Sequence, residues 1–450
     1  MKFLELIPFY KRNLSVAIPV MLTQAGQVMV HLADNIMVGR VGTTELASVS
    51  FANSILILGM VFGIGFTQGV TPHVGQAYGK GEHNLVSKLL SNSFFLFVII
   101  SLFLFGLMYV AAYIMPYMGQ TESVTNCALD YYKISVFSLP LFLVFFGLRQ
   151  FSEGIGITKY AMYITLLANI INILLNWILI FGHLGFSPMG VKGAATATLI
   201  SRFIMLILFI SLFLKLDCYN IYIKLLKSFV PKLSIIKRIF QTAVPLSFQN
   251  LVEITAFSAS AIMVGWIGEV ELASHQIAMT MSSFSFMLAL GVGAAATIRV
   301  SHQFGSGDYR SMRIAAFTSI HLSVFLMSIC GVLYIIFRHH IPIVYSQDSS
   351  VRYLAAQLLI VSALFQIFDA IQLASLASLR ALADVKVPLV LSIISYYLIC
   401  LPLGYFCGFI LDFGAIGIWI GLLLGLVFAS VLFLLRFHII SKKLISNTTI

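Results

Sequence analysis

Charge is what this 450-residue sequence has least of: Asp, Glu, Lys and Arg together make up 10% of it, against about a quarter in an ordinary soluble domain. With 60% hydrophobic residues and a mean hydropathy of +1.00, so thin a supply of charge excludes a soluble globular fold and leaves a polytopic membrane protein. Cysteine is scarce too. The five present (Cys127, Cys218, Cys330, Cys400 and Cys407) are scattered, and neither a disulfide framework nor a metal cluster follows from them. Signatures of catalysis are missing as well. Gly75-Gln76-Ala77-Tyr78-Gly79-Lys80 has three residues between its glycines where a phosphate loop needs four, and Gly81 follows where Ser or Thr should stand. There is no His-Glu-x-x-His pair and no Gly-x-Ser-x-Gly elbow. An enzyme is therefore not expected, and uphill transport would have to draw on an ion gradient, worth about 2.3 kcal/mol per charge per 100 mV. The apolar run after the basic start exceeds a signal-peptide core and lacks a small-x-small cleavage site, so the first span is expected to be retained.

What the sequence has in abundance is apolar runs of about 20 residues, the length that crosses a bilayer as a helix. Twelve are read, at 14–38, 46–71, 90–114, 131–151, 160–182, 191–214, 240–267, 275–298, 314–337, 353–377, 388–410 and 415–437. The net charge of +11 could suggest nucleic acid, but its distribution says otherwise. With alternating spans, 21 of the 27 Lys and Arg residues fall on the side of the N-terminus, five on the other and Arg202 inside a span. That asymmetry is the positive-inside rule. Both termini are expected in the cytoplasm, and nucleic-acid binding is not.

The sequence is doubled. Shifted by 226 residues, Ala17-Ile18-Pro19-Val20 meets Ala243-Val244-Pro245-Leu246, Ile36-Met37-Val38-Gly39 meets Ile262-Met263-Val264-Gly265, and Glu45-Leu46-Ala47-Ser48 meets an identical Glu271-Leu272-Ala273-Ser274. The register holds without a gap for about 65 positions. Six spans per shift is an even number, so both halves enter the membrane in the same direction. The expected fold is all-α: twelve transmembrane helices in two parallel-repeat six-helix bundles around a central cleft. The expected division is an N-lobe at 1–215, a cytoplasmic linker at 216–239 and a C-lobe at 240–450. The Gly-rich segments 73–83 and 299–310 read as short turns and helix caps.

An ionisable group at bilayer depth costs roughly 2.5–3.5 kcal/mol by insertion scales, so it faces protein or a wet cavity. Of the sixteen acidic residues only Asp34, Glu253 and Asp369 lie well inside apolar segments. Helical spacing gives each one company. Gln249, Glu253 and Ser260 share a face; so do Gln24, Gln27, His31 and Asp34, and so do Ser362, Gln366, Asp369 and Gln372. Thr165, Asn169, Asn172 and Asn176 form a further stripe, readable either as part of a site or as interhelical hydrogen-bonded packing. Carboxylates with amide oxygens suit a hard cation such as Na⁺, and the same carboxylates can carry protons; spacing does not separate the two. In the repeat, Gln27 stands at the position of Glu253 and Ser260 at that of Asp34, so the halves share a scaffold but divide their ionisable groups.

These residues resemble the multidrug and toxic compound extrusion (MATE) family, in its NorM-like branch. The matching segments are Ala33-Asp34-Asn35-Ile36-Met37-Val38-Gly39-Arg40, Gln249-Asn250-Leu251-Val252-Glu253, Ala273-Ser274-His275-Gln276, Phe368-Asp369-Ala370-Ile371-Gln372 and Ser378-Leu379-Arg380 with Asp384. The resemblance implies Na⁺- or H⁺-coupled export of bulky, often cationic drugs or toxic organic compounds by alternating access, with no cofactor beyond the coupling ion. It also implies a multi-pass protein of the bacterial inner membrane, surrounded by lipid and functional as a monomer. Glu253 and Asp369 would be the cation-binding carboxylates of the C-lobe and Asp34 the ionisable group of the N-lobe, near Asn172 and Asn176. Gln249, Gln27, His31, Gln366 and Gln372 would be supporting polar groups. Phe365 stands where relatives often carry Tyr, so no hydroxyl ligand is expected there, and Tyr160 replaces a common Pro. The runner-up is a flippase for lipid-linked saccharides, whose cavity should be strongly basic; here no Lys sits mid-span.

Overall fold

The computed structural model describes residues 3–224 and 231–448. Among them are twelve helices long and apolar enough to cross a membrane: α1 (Glu5–Gly39), α2 (Thr43–Gly79), α3 (His83–Ala111), α4 (Glu122–Gly154), α5 (Lys159–Phe181), α6 (Gly190–Lys215), α7 (Leu233–Ile267), α8 (Glu269–Gly305), α9 (Tyr309–Phe337), α10 (Ser349–Ala381), α11 (Lys386–Ile410) and α12 (Gly414–Asn447). Each expected span lies within one of them, apart from a few residues at an end. Most helices run beyond the apolar run, because polar residues continue the backbone ladder once the chain leaves lipid.

The segments 73–83 and 299–310 correct the expectation of turns. Both are largely helical: α2 runs to Gly79 and α8 to Gly305. The reversal is confined to a few residues around Gly81 and Gly307, whose φ of +73° and +79° suit residues without a Cβ. These two glycines are 226 residues apart, so the repeat extends to backbone conformation. It extends to side chains as well: Ser48 donates to the carbonyl of Val124, and Ser274, its repeat mate, to that of Val351.

The chain forms two compact units, one of residues 1–24 with 248–450 and the other of residues 25–247. These bounds cut across the repeat halves inside α1 and α7. Each helix carries a proline shortly before the cut, Pro19 and Pro245. A proline leaves the carbonyl four residues earlier without its N–H and weakens the rod there. The start of α1 is tied into the first unit by Asn13, whose amide donates to Ser319 at 2.9 Å and Thr318 at 3.1 Å. The start of α7 is tied into the second by Thr242, 2.8 Å from His73, and by Phe240 edge-on to Phe66. Of the expected linker 216–239, the helix Asp217–Ile223 buries Tyr219 and Tyr222 against the second unit, while residues 225–230 lie outside the described residues.

In the first unit α11 is not a regular helix. Residues Ile394–Cys400 and Phe406–Ile410 are wound as π-helix, on either side of Pro402, whose nitrogen has no hydrogen to give the backbone ladder. Against this irregular span α12 presents Gly417, Gly421 and Gly425, one turn apart, where the backbones of α11 and α12 come into direct contact.

Candidate functional site

In the unit of residues 25–247, Asp34 comes from α1, and Asn172 and Asn176 from one face of α5. Asn176 donates to the Asp34 carboxylate and also, at 3.2 Å, to the side-chain oxygen of Asn172. Asn172 in turn donates to Ser201 of α6 at 3.2 Å. The asparagine stripe is thus a relay that holds one carboxylate and spans three helices. Asp34 also borders a cavity of about 60 Å³ together with His31, Asn53, Tyr131, Ser135 and Arg202. His31 is an exposed residue that lines this cavity, and Gln27, one turn further back, does not line it. The structure brings Asp34, His31, Asn172 and Asn176 together and leaves Gln27 out.

In the unit of residues 1–24 and 248–450, Glu253 of α7 and Asp369 of α10 lie within electrostatic reach of each other. Asp369 is 3% exposed, and among the described residues no hydrogen-bond donor is placed on its carboxyl. Arg380 supplies the positive charge that Glu253 feels. Its guanidinium is held by Gln249 at 3.2 Å and Asn250 at 3.1 Å, and Gln249 is anchored on Ser392 at 3.0 Å. Gln249 therefore acts on Glu253 through Arg380. Gln366 is fully buried with both amide atoms unpartnered among the described residues, as is the side-chain oxygen of Gln372. Buried polar atoms are nearly always satisfied, so the side-chain oxygens of Gln366 and Gln372, in the middle of α10, have unused capacity to coordinate a small ion or its water.

Tyr396 is the group that sequence reasoning missed. Its hydroxyl donates to Glu253 at 3.2 Å and accepts from Gln372 at 3.0 Å, so one 1%-exposed side chain joins α7, α10 and α11. The hydroxyl thought absent because of Phe365 is supplied from a different helix. Phe365 itself packs against Phe257 and Trp419. The one available signal was Pro402, which marks α11 as a place where winding changes, and such bulges recur at functional sites.

No group of three or more His, Cys, Asp or Glu able to hold a metal occurs among the described residues. The donors present are carboxylate, amide and phenol oxygens, a set that suits hard cations and not soft transition metals.

A sequence profile of the MatE family matches residues 19–178 and 245–406. The chain belongs to the MATE family. Its relatives within it are NorM-like: it is 31% identical over 437 residues to the multidrug resistance protein NorM of Photobacterium profundum, covering 95% of this chain and 94% of that one. It is also 31% identical over 436 residues to MdtK of Yersinia pseudotuberculosis, covering 96% and 95%. Among solved MATE structures, an outward-facing multidrug resistance transporter of the MOP superfamily superposes with a TM-score of 0.89 at 20% identity over 99% of both chains. At that identity the likeness establishes the fold. Both repeat halves of this MATE protein carry one segment of the family profile, in keeping with the doubling read from the sequence.

Proposed function

We propose that this chain is a cation-coupled multidrug efflux antiporter of the bacterial inner membrane, with both termini cytoplasmic. The relatives named NorM and MdtK are multidrug resistance proteins at about 31% identity over nearly the whole length, and the Lys and Arg asymmetry sets the orientation. The observation that carries the coupling is a charge count. Around Glu253 the charged groups within electrostatic reach among the described residues are two carboxylates, Glu253 and Asp369, and one guanidinium, Arg380. Two negative charges against one positive leave a deficit of one unit, and an isolated charge in a medium of low dielectric is costly. One monovalent cation, Na⁺ or H⁺, removes the deficit. A drug carrying its own positive charge competes for the same imbalance, and that competition is what antiport requires.

Reconstitution into liposomes with Na⁺ and pH gradients imposed separately tests the reading. Ethidium efflux driven by one gradient alone identifies the coupling ion, and efflux indifferent to both would overturn coupling.

Tyr396→Phe should weaken the coupling ion by about tenfold. The substitution removes a buried hydroxyl that serves two partners, a loss of about 1–3 kcal/mol, while the ring stays packed beside Phe257. Half-saturation of efflux by the driving cation measures it, and an unchanged value would show that Tyr396 is only packing.

A further inference from the structure

Nothing in the antiport reading requires Arg202. A guanidinium within a membrane span is expensive, yet this one is held firmly: it donates to Ser138 at 2.7 Å and lies 4.8 Å from the centre of the Phe142 ring. It lines the same cavity as Asp34, and each of the two groups feels the other's charge. No direct ion pair joins them among the described residues. A cavity of about 60 Å³ is roomy enough for water, so the attraction acts across a polar gap. The groups around Asp34 are few. α1 contributes His31, α4 contributes Tyr131 with its hydroxyl on Asn53 of α2, α5 contributes Asn172 and Asn176, and α6 contributes Arg202. Of these, Arg202 is the permanent positive charge.

We propose that Arg202 is the fixed counter-ion of Asp34, so that this cavity stays electrically neutral with Asp34 ionised and calls on neither a proton nor a metal cation to do so. The two units then differ in kind. One site has a guanidinium for its single carboxylate, and the other, with Arg380 against both Glu253 and Asp369, must borrow one further positive charge. Within the antiport reading, on which this last consequence rests, the coupling ion and a drug cation exchange in the Glu253 unit, while Asp34 keeps Arg202 as its partner.

The test does not need transport. Dicyclohexylcarbodiimide adds to protonated carboxyls, and mass spectrometry of the full-length protein in liposomes at pH 7 quantifies adducts peptide by peptide. Arg202→Gln should raise labelling of Asp34 about fivefold or more, because an opposite charge nearby favours the ionised form. Arg202→Lys should stay near the parent level, and labelling of Asp369 should not change in either variant. Equal Asp34 labelling in the parent and Arg202→Gln would overturn the assignment. So would a rise shared by Gln and Lys, since that reports lost packing on Phe142 and not lost charge. Asp34→Asn gives the reciprocal reading even if Arg202→Gln fails to fold: phenylglyoxal modification of Arg202 should rise at least about twofold, and no rise would again count against the pair.

Discussion

Glu253→Gln and Asp369→Asn should each abolish gradient-driven efflux while leaving the protein expressed and folded. Either substitution removes one of two neighbouring carboxylates, of which Glu253 feels the Arg380 guanidinium, and the local deficit of one charge becomes zero. The site then has no electrostatic reason to take a cation. Truncating one partner of a desolvated charge pair costs about 2–5 kcal/mol of binding, so cation affinity should fall by about thirtyfold or more. Folding should be spared, because the amides keep nearly the same shape and the amide oxygen introduced by Glu253→Gln still accepts from Tyr396. Binding of radioactive sodium to purified protein and ethidium efflux from vesicles read the two halves of the expectation. Normal efflux by both variants would remove the Glu253 unit from the mechanism altogether. The conservative Glu253→Asp should retain partial activity, since it keeps the charge but draws the carboxylate back from Tyr396.

Gly421→Val should be the most destructive change outside the charged residues. A Cβ at this position would lie 2.3 Å from the Cα of Gly404 and 2.8 Å from the carbonyl oxygen of Cys400. Those are backbone atoms that no rotamer change can move aside. α11 and α12 would have to separate, and α11 is the helix that carries Tyr396 to Glu253. Gly425 meets the same helix one turn on, where a Cβ would lie 2.5 Å from the Cβ of Cys400, so the separation would spread along the interface. Overpacking of this kind costs about 1–3 kcal/mol or more. The melting midpoint in detergent should drop by roughly 5–10 °C, on the scale of a few degrees per kcal/mol. Gly106→Ala is the control: its Cβ meets nothing within 4 Å, and its midpoint should not move. Equal stability of Gly421→Val and Gly106→Ala would mean that the α11–α12 interface yields freely.

The charge pattern around Tyr396 also explains why part of the site could be read in advance and part could not. Asp34, Glu253 and Asp369 announce themselves because a carboxylate in an apolar run is an anomaly that composition alone exposes. The stripe of Asn172 and Asn176 is visible as a helical period, but only the bond from Asn176 to Asp34 shows which group it faces. Gln27 obeys the same period on α1 and yet stays away from the cavity of Asp34. Periodicity gives the face of a helix, not what lies opposite that face.

From the sequence by itself came the twelve helices, the doubling at 226 residues, the uneven distribution of Lys and Arg and the three intramembrane carboxylates. Each follows from a rule local to the chain: a bilayer demands a fixed apolar length, translocation sorts positive charge, and lipid tolerates no unpaired polar group. Tertiary structure alone decided which groups face them. Tyr396 reaches Glu253 across 143 residues of chain, Arg202 shares a cavity with Asp34 from five helices away, and the compact units divide inside α1 and α7. Such pairings depend on which helices pack side by side, and packing is set by the summed shape of many small contacts that no single stretch of sequence contains.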